Sequence, residues 1–169
     1  MAKAMISLDG MVGELYLQGA QLTAWQLPNE RPVLFTSPRS AFAPGRAIRS
    51  GIPINFPWFG PGRYGPAAPQ HGFARTAMWH LDGVETAGSE SLTLTLSLAD
   101  GDESEKVGAR SSVVWNPWAE KAAAMADLGD PAWRGMVCVE AGNIADDELR
   151  LAADSEHQMS VAISVVAGP

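Results

Sequence analysis

Hydrophobic and polar residues alternate strictly in two places. Residues 91–98, SLTLTLSL, set four leucines on one face and Ser/Thr on the other, and Met159, Val161, Ile163 and Val165 interleave with Ser160, Ala162, Ser164 and Val166. A period of two predicts half-buried β-strands. Looser patterns predict further strands over residues 14–17, 21–27, 32–35, 78–85, 111–115, 136–141 and 148–152. Turn signals separate them: Asp9-Gly10, Pro28-Asn29, Ala87-Gly88, Asp100-Gly101 and Asp146-Asp147. Many short strands at this spacing predict an all-β chain, an antiparallel sandwich or barrel. One helix is predicted, with Asn116 as its cap, Pro117 in its first position, residues 118–128 as its body and Gly129 as its stop.

Residues 47–76 break the pattern. Five prolines and five glycines exclude regular helix and most strand pairing, yet Ile52, Ile54, Phe56, Trp58, Phe59 and Phe73 lie among them. A loop with this many aromatic residues is expected to fold onto the body of the protein, and long ordered loops are usually functional. By contrast, DGDESEK at 100–106 has no apolar residue and is the natural dividing point of the chain.

Composition narrows the classes. The 169 residues suit one domain, 46% are hydrophobic, and 17 Gly with 12 Pro fit many turns. Twelve basic against nineteen acidic residues give a net charge of −7, which argues against nucleic acid as a partner. A small anion can still bind where a few arginines converge. The first ten residues lack a signal-peptide pattern and no apolar run approaches the ~20 residues of a membrane span, so no membrane association is expected. Cys138 is the lone cysteine, consistent with a reducing, cytoplasmic setting.

Two places hold candidate chemistry. Arg49 and Arg75 flank the aromatic loop, with His71 four residues before Arg75; two guanidinium groups and an imidazole delivered together suit a phosphate or carboxylate. The plainer alternative is that each arginine pairs with a surface carboxylate. In Met136-Val137-Cys138-Val139-Glu140 both faces are mostly apolar, which predicts a central strand. Glu140 then sits where a carboxylate must be paired or line a cavity, and such a group can serve as a general base. The alternative is a strand end where Glu140 meets water. Cys138 is expected to be a core thiol and not a nucleophile. His71, His80 and His157 lack metal-ligand spacing, so no metal site is expected. Trp115-Asn116-Pro117-Trp118 reads as a strand-to-helix corner whose tryptophans cover the core.

Taken together, IRSGIPINFPWFGPG, PQHGFART followed two residues later by Trp79, VVWNPWAEKAAAMADLGD and MVCVE resemble the glucose-6-phosphate 1-epimerase (hexose-6-phosphate mutarotase) family of the galactose mutarotase-like superfamily. The resemblance runs over most of the chain. It implies a large antiparallel β-sandwich with the sugar in a cleft on one sheet. It also implies interconversion of the α and β anomers of an aldohexose 6-phosphate, without a cofactor. By resemblance, Glu140 is the general base, His71 contacts the sugar, Arg49 and Arg75 bind the phosphate, and Gln70 and Phe73 complete the substrate site. The sequence departs from the family in its middle. A large block that lies between the 91–98 strand and VVWNPW in the family is missing, and with it an acid His and a sugar-holding Asp. Neither His80 nor His157 matches that acid. The chain therefore reads as a single shortened domain with a deletion junction near residues 100–107. Turnover is expected to suffer more than phosphate binding. Uncovered strand edges are expected to favour homo-oligomerisation or poor solubility.

Overall fold

The computed structural model describes residues 1–61, 65, 67–88, 91–98, 111–147 and 158–165. The chain divides into two compact units, one of Met1–Ala99 with Pro117–Met136, the other of Asp100–Asn116 with Val137–Pro169. Among the described residues every strand ladder is antiparallel. Among the described residues no helix is long and apolar enough to cross a membrane. The junction at 100–107, His157 and the strand expected over 148–152 lie outside the described residues.

In the first unit, β1 (Lys3–Leu8), β2 (Met11–Tyr16) and β3 (Gln21–Gln26) form a sheet in that order. Leu8 pairs with Met11 across Asp9-Gly10, both of which have positive φ. That is the two-residue turn whose twist matches the strands it joins, and it explains the Asp-Gly pair. The expected strands did not include β1, although Ala4, Ile6 and Leu8 turn inward while Lys3, Met5 and Ser7 are exposed. β4 (His80–Ala87) and β5 (Ser91–Ser97) form a hairpin. Leu92, Leu94 and Leu96 are its inward residues, as their alternation requires.

The aromatic loop folds onto this unit, as expected. Ile48 and Ala74 are buried. Isolated bridges join Leu22 to Ile52 and Phe56 to Gly72. The core of the unit is half polar: Leu15, Ile48, Ala74, Ala122 and Leu128 are buried with Gln18, Gln21, Thr23, Ser37 and Ser50. A loop poor in ladder bonds leaves buried carbonyls that side chains must satisfy, and the glutamines do this. The Gln18 amide donates to the carbonyl of Arg46 (2.8 Å) and accepts from the Gly45 N–H (2.7 Å). The Gln21 amide donates to the carbonyls of Ile48 and Ser50.

The second unit holds β6 (Ser111–Trp115) paired with β7 (Cys138–Gly142). Ser111 Oγ donates to the Asp147 carboxylate at 2.6 Å. Among the described residues, no apolar side chain of this unit is fully buried.

Five expectations need correction. Residues 32–35 form no strand: Val33 N–H donates to Trp25 C=O (2.8 Å) and Phe35 C=O accepts from Gly51 (2.9 Å), but Pro32 lacks the N–H a ladder needs. Residues 159–165 are exposed and belong to no ladder among the described residues, because alternation chooses faces and cannot supply a partner strand. β7 is not central; among the described residues it pairs with β6 alone, and Cys138 is only half-buried. The helix, α1 (Trp118–Ala124), starts from Pro117 and not Asn116. It stops at Met125, whose extended backbone turns the chain and seats Leu128 in the core. Trp118 is 68% exposed instead of covering the core, and meets the edge of Trp133 at 5.4 Å.

Candidate functional site

Arg49 is the most firmly held of the expected site residues. Its N–H donates to Ser40 Oγ (2.8 Å) and its carbonyl accepts from the Ser37 N–H (3.0 Å). The Gln21 amide grips the carbonyls on either side of it, those of Ile48 and Ser50. Its guanidinium meets Asp127 through Nε–Oδ2 at 3.1 Å and Nη2–Oδ1 at 3.3 Å. For this residue the carboxylate-pairing alternative is therefore realised, although the pair is only part-buried.

Arg75 donates through Nη2 to the carbonyl of Gln70 at 2.6 Å. Burial, and then the nearby charge of Arg49, weakens its hold on its proton, while Asp127 opposes them. His71 completes the group. Its N–H donates to Gly60 C=O (2.6 Å), and the Gly60 N–H donates back to Nδ1 at 3.1 Å. An Nδ1 that accepts leaves the ring proton on Nε2. Phe59 packs edge-on against the ring at 4.7 Å. Burial first, then Arg75 and Arg49, lower its pKa to about 4. His71 is thus neutral at pH 7 and offers one N–H donor beside two guanidinium groups.

Gln70 is exposed, and its backbone carbonyl joins the cluster by accepting from Arg75. Phe73 packs edge-on to Phe56 at 6.2 Å, and its N–H donates to the Phe56 carbonyl (3.0 Å). The first unit therefore brings Arg49, Arg75 and His71 together, with Gln70 and Phe73 in the same loop. Two guanidinium forks and an N–H donor, all part-buried, are the chemistry that suits a phosphate.

Glu140 belongs to the second unit, in β7 opposite Val113. It is half-buried, and burial raises the pKa of its carboxyl. It lines a recess of about 400 Å³ with Ser112, Val161 and Ile163. Burial of this kind makes a carboxylate hold a proton more readily than an exposed one does. His80, in the first unit, is exposed and bonds Asp82 at 2.7 Å.

Asp127 was absent from the expected site. Its only signal in sequence was its place in ADLGD, after the helix, and nothing there said it would meet Arg49. Gln21 and Ser37 were missed too, because a polar residue in a strand or loop reads as solvated until the fold buries it.

A family model described as aldose 1-epimerase matches residues 5–110. This chain belongs to the aldose 1-epimerase family. It is 39% identical over 90 residues to an Escherichia coli K12 protein named "Putative glucose-6-phosphate 1-epimerase", a match covering 53% of this chain and 30% of that one. A Cenchrus ciliaris protein of the same name is 46% identical over 69 residues, covering 41% and 20%. The solved structure of a "putative mutarotase" from Salmonella typhimurium superposes with a TM-score of 0.54 at 34% identity, covering 57% of this chain and 32% of that one. The all-β fold is therefore that of the mutarotases. The matches span about a third or less of each relative's length.

Proposed function

We propose that this aldose 1-epimerase family chain binds an aldohexose 6-phosphate and interconverts its α and β anomers. Arg49 and Arg75 take the phosphate, His71 donates to the sugar beside Gln70 and Phe73, and Glu140 is the general base. The observation that carries the reading is the gathering of two arginines and a neutral histidine in one loop system of an otherwise acidic chain. The names of the relatives support the substrate class.

The reaction needs little machinery. The base removes the proton of the anomeric hydroxyl, the C1–O5 bond breaks, and O5 takes a proton. The open aldehyde turns about its C1–C2 bond, and the reverse steps close the other anomer. Glu140 suits the first step because burial makes its carboxylate more basic than an exposed one. The proton for O5 has no dedicated donor, since the acid His of the family has no counterpart among the three His of this chain. Loss of such an acid costs about 10²–10⁴-fold in rate.

A second reading, sugar-phosphate binding without turnover, draws on that missing acid. It also draws on the assignment of Glu140 and the arginines to different units. Magnetisation-transfer NMR on glucose 6-phosphate separates the two. Acceleration of anomer exchange over buffer, lost in Glu140→Ala, supports the enzyme. No acceleration at high protein concentration removes it. Arg75→Ala should weaken glucose 6-phosphate binding about ten- to hundredfold in either case, as loss of a charged hydrogen bond does. Unchanged binding would remove both readings.

A further inference from the structure

We propose that Asp127 is a positioning residue for the anion site: it holds Arg49 by one edge of its guanidinium so that the other edge is presented to phosphate. This rests on the reading of Arg49 and Arg75 as phosphate ligands. Asp127 lies beyond residues 5–110, the span that places the chain in its family.

A guanidinium is a planar fork with five N–H donors. Asp127 engages the side edge, Nε and Nη2, with both carboxylate oxygens, and Nη2 lies 3.0 Å from Oδ2. The end edge, Nη1 with the second hydrogen of Nη2, has the spacing for a bidentate oxyanion. A carboxylate on the side edge therefore orients the fork without using the edge a ligand needs. Asp127 is itself fixed. The turn after α1 is closed by Leu128 and Gly129 N–H groups on the Met125 carbonyl (3.1 and 3.0 Å), and Leu128 is buried. Ser37 ties the two partners together: its Oγ donates to the Asp127 carbonyl (2.6 Å) and its N–H to the Arg49 carbonyl (3.0 Å). Both ends of the ion pair thus hang from one residue.

Charge alone argues the opposite outcome. A carboxylate near a phosphate site repels the ligand, so neutralising it should tighten binding if electrostatics dominated. The same carboxylate also offsets the repulsion between Arg49 and Arg75 in the free protein. The geometry gives orientation the greater weight, because two long, flexible side chains bind an anion well only when they are held beforehand.

The test measures glucose 6-phosphate binding to the full chain by calorimetry, in wild type, Asp127→Asn, Arg49→Lys and the double variant. Asp127→Asn should raise the Kd about tenfold, the factor that goes with one charged contact. In the Arg49→Lys background it should have little further effect, because a lysine ammonium has no side edge to hold. Unchanged or tighter binding in Asp127→Asn overturns the positioning role while leaving the phosphate site standing. An equal loss in both backgrounds also overturns it, since Asp127 would then act on the fold. A wild type that binds no glucose 6-phosphate overturns the site and the proposal together. A measurement on the wild type alone guards against a variant that does not fold. On titration with glucose 6-phosphate, the Arg49 Nε–H resonance should keep its carboxylate-bonded position. A shift showing that phosphate displaces Asp127 from Nε overturns the proposal.

Discussion

The arginine loop and the β6–β7 ribbon solve opposite problems. The loop has few ladder bonds, yet its backbone is satisfied by buried side chains. Gln18 and Gln21 are 1% and 0% exposed, and each grips two groups of a strand-poor segment. The ribbon has a regular ladder, yet Val139 is 73% and Val114 72% exposed. Hydrogen bonds between two strands satisfy the backbone but cover neither face, so a ribbon gains little from burial. The difference teaches that regular secondary structure is a poor guide to which part of this molecule is well packed. The irregular part holds the polar core and the cluster of Arg49, His71 and Arg75.

The sharpest way to break that comparison is Gly72→Ala. Gly72 has a φ of +72°, and an added Cβ would meet the carbonyl of Phe56. Phe56 C=O is the acceptor for both Phe73 and Ala74 N–H groups, at 3.0 and 3.2 Å, so it cannot move without opening the loop. The expected loss is about 3 kcal/mol, read from the urea midpoint. Gly45→Ala is the control: its φ is +71°, but a Cβ there meets nothing within 4 Å, and about 1 kcal/mol is expected. Equal losses at the two positions would mean that backbone conformation alone, and not close packing of the loop, sets the cost.

A smaller effect comes from pH. The folded chain holds His71 near a pKa of about 4, against the 6.5 of an ordinary histidine in the unfolded chain. Between those values the unfolded chain binds a proton that the folded chain refuses. Stability should therefore be full above pH 6.5, fall as pH drops through that window and level off below 4. The residue is only part-buried, so screening makes the loss modest. The check is the difference in urea midpoint between pH 7 and pH 5, in wild type and in His71→Gln, where titrating carboxylates cancel. An equal drop in both proteins would show that the loop does not keep His71 neutral.

Much of this was legible in the residues. The Leu92-Leu94-Leu96 alternation specified β5 and its inward face, and Asp9-Gly10 specified a turn. The aromatic, proline-rich composition of 47–76 specified a packed loop before any contact was known. Arg49, His71 and Arg75 could be grouped because they flank or occupy that loop. The Arg49–Asp127 pair was not legible: its partners are 78 positions apart, and no local pattern encodes a contact at that separation. The failure at 159–165 has the same root. Alternation is a local property, whereas ladder pairing depends on a strand elsewhere in the chain. The failure at 125–128 is tertiary override: helix-forming residues gave way because Leu128 is buried by leaving the helix.

The smallest expected effect lies on the ribbon. Val114 and Val139 are cross-strand neighbours in register, and both are exposed. Changing both to threonine keeps the β-branch and therefore the strand preference, and it swaps two solvent-facing methyl groups for hydroxyls. With both valines about three-quarters exposed, stability should change by no more than about 0.5 kcal/mol, as it does for ordinary surface positions. The contrast with Gly72, where a single methyl group is predicted to cost several times more, restates the comparison between the two regions as a ratio. A larger loss, and especially one that grows with protein concentration, would show that the valine face is covered in solution by a second copy of the chain. In that case mass action, and not the ladder, would set the stability of the ribbon.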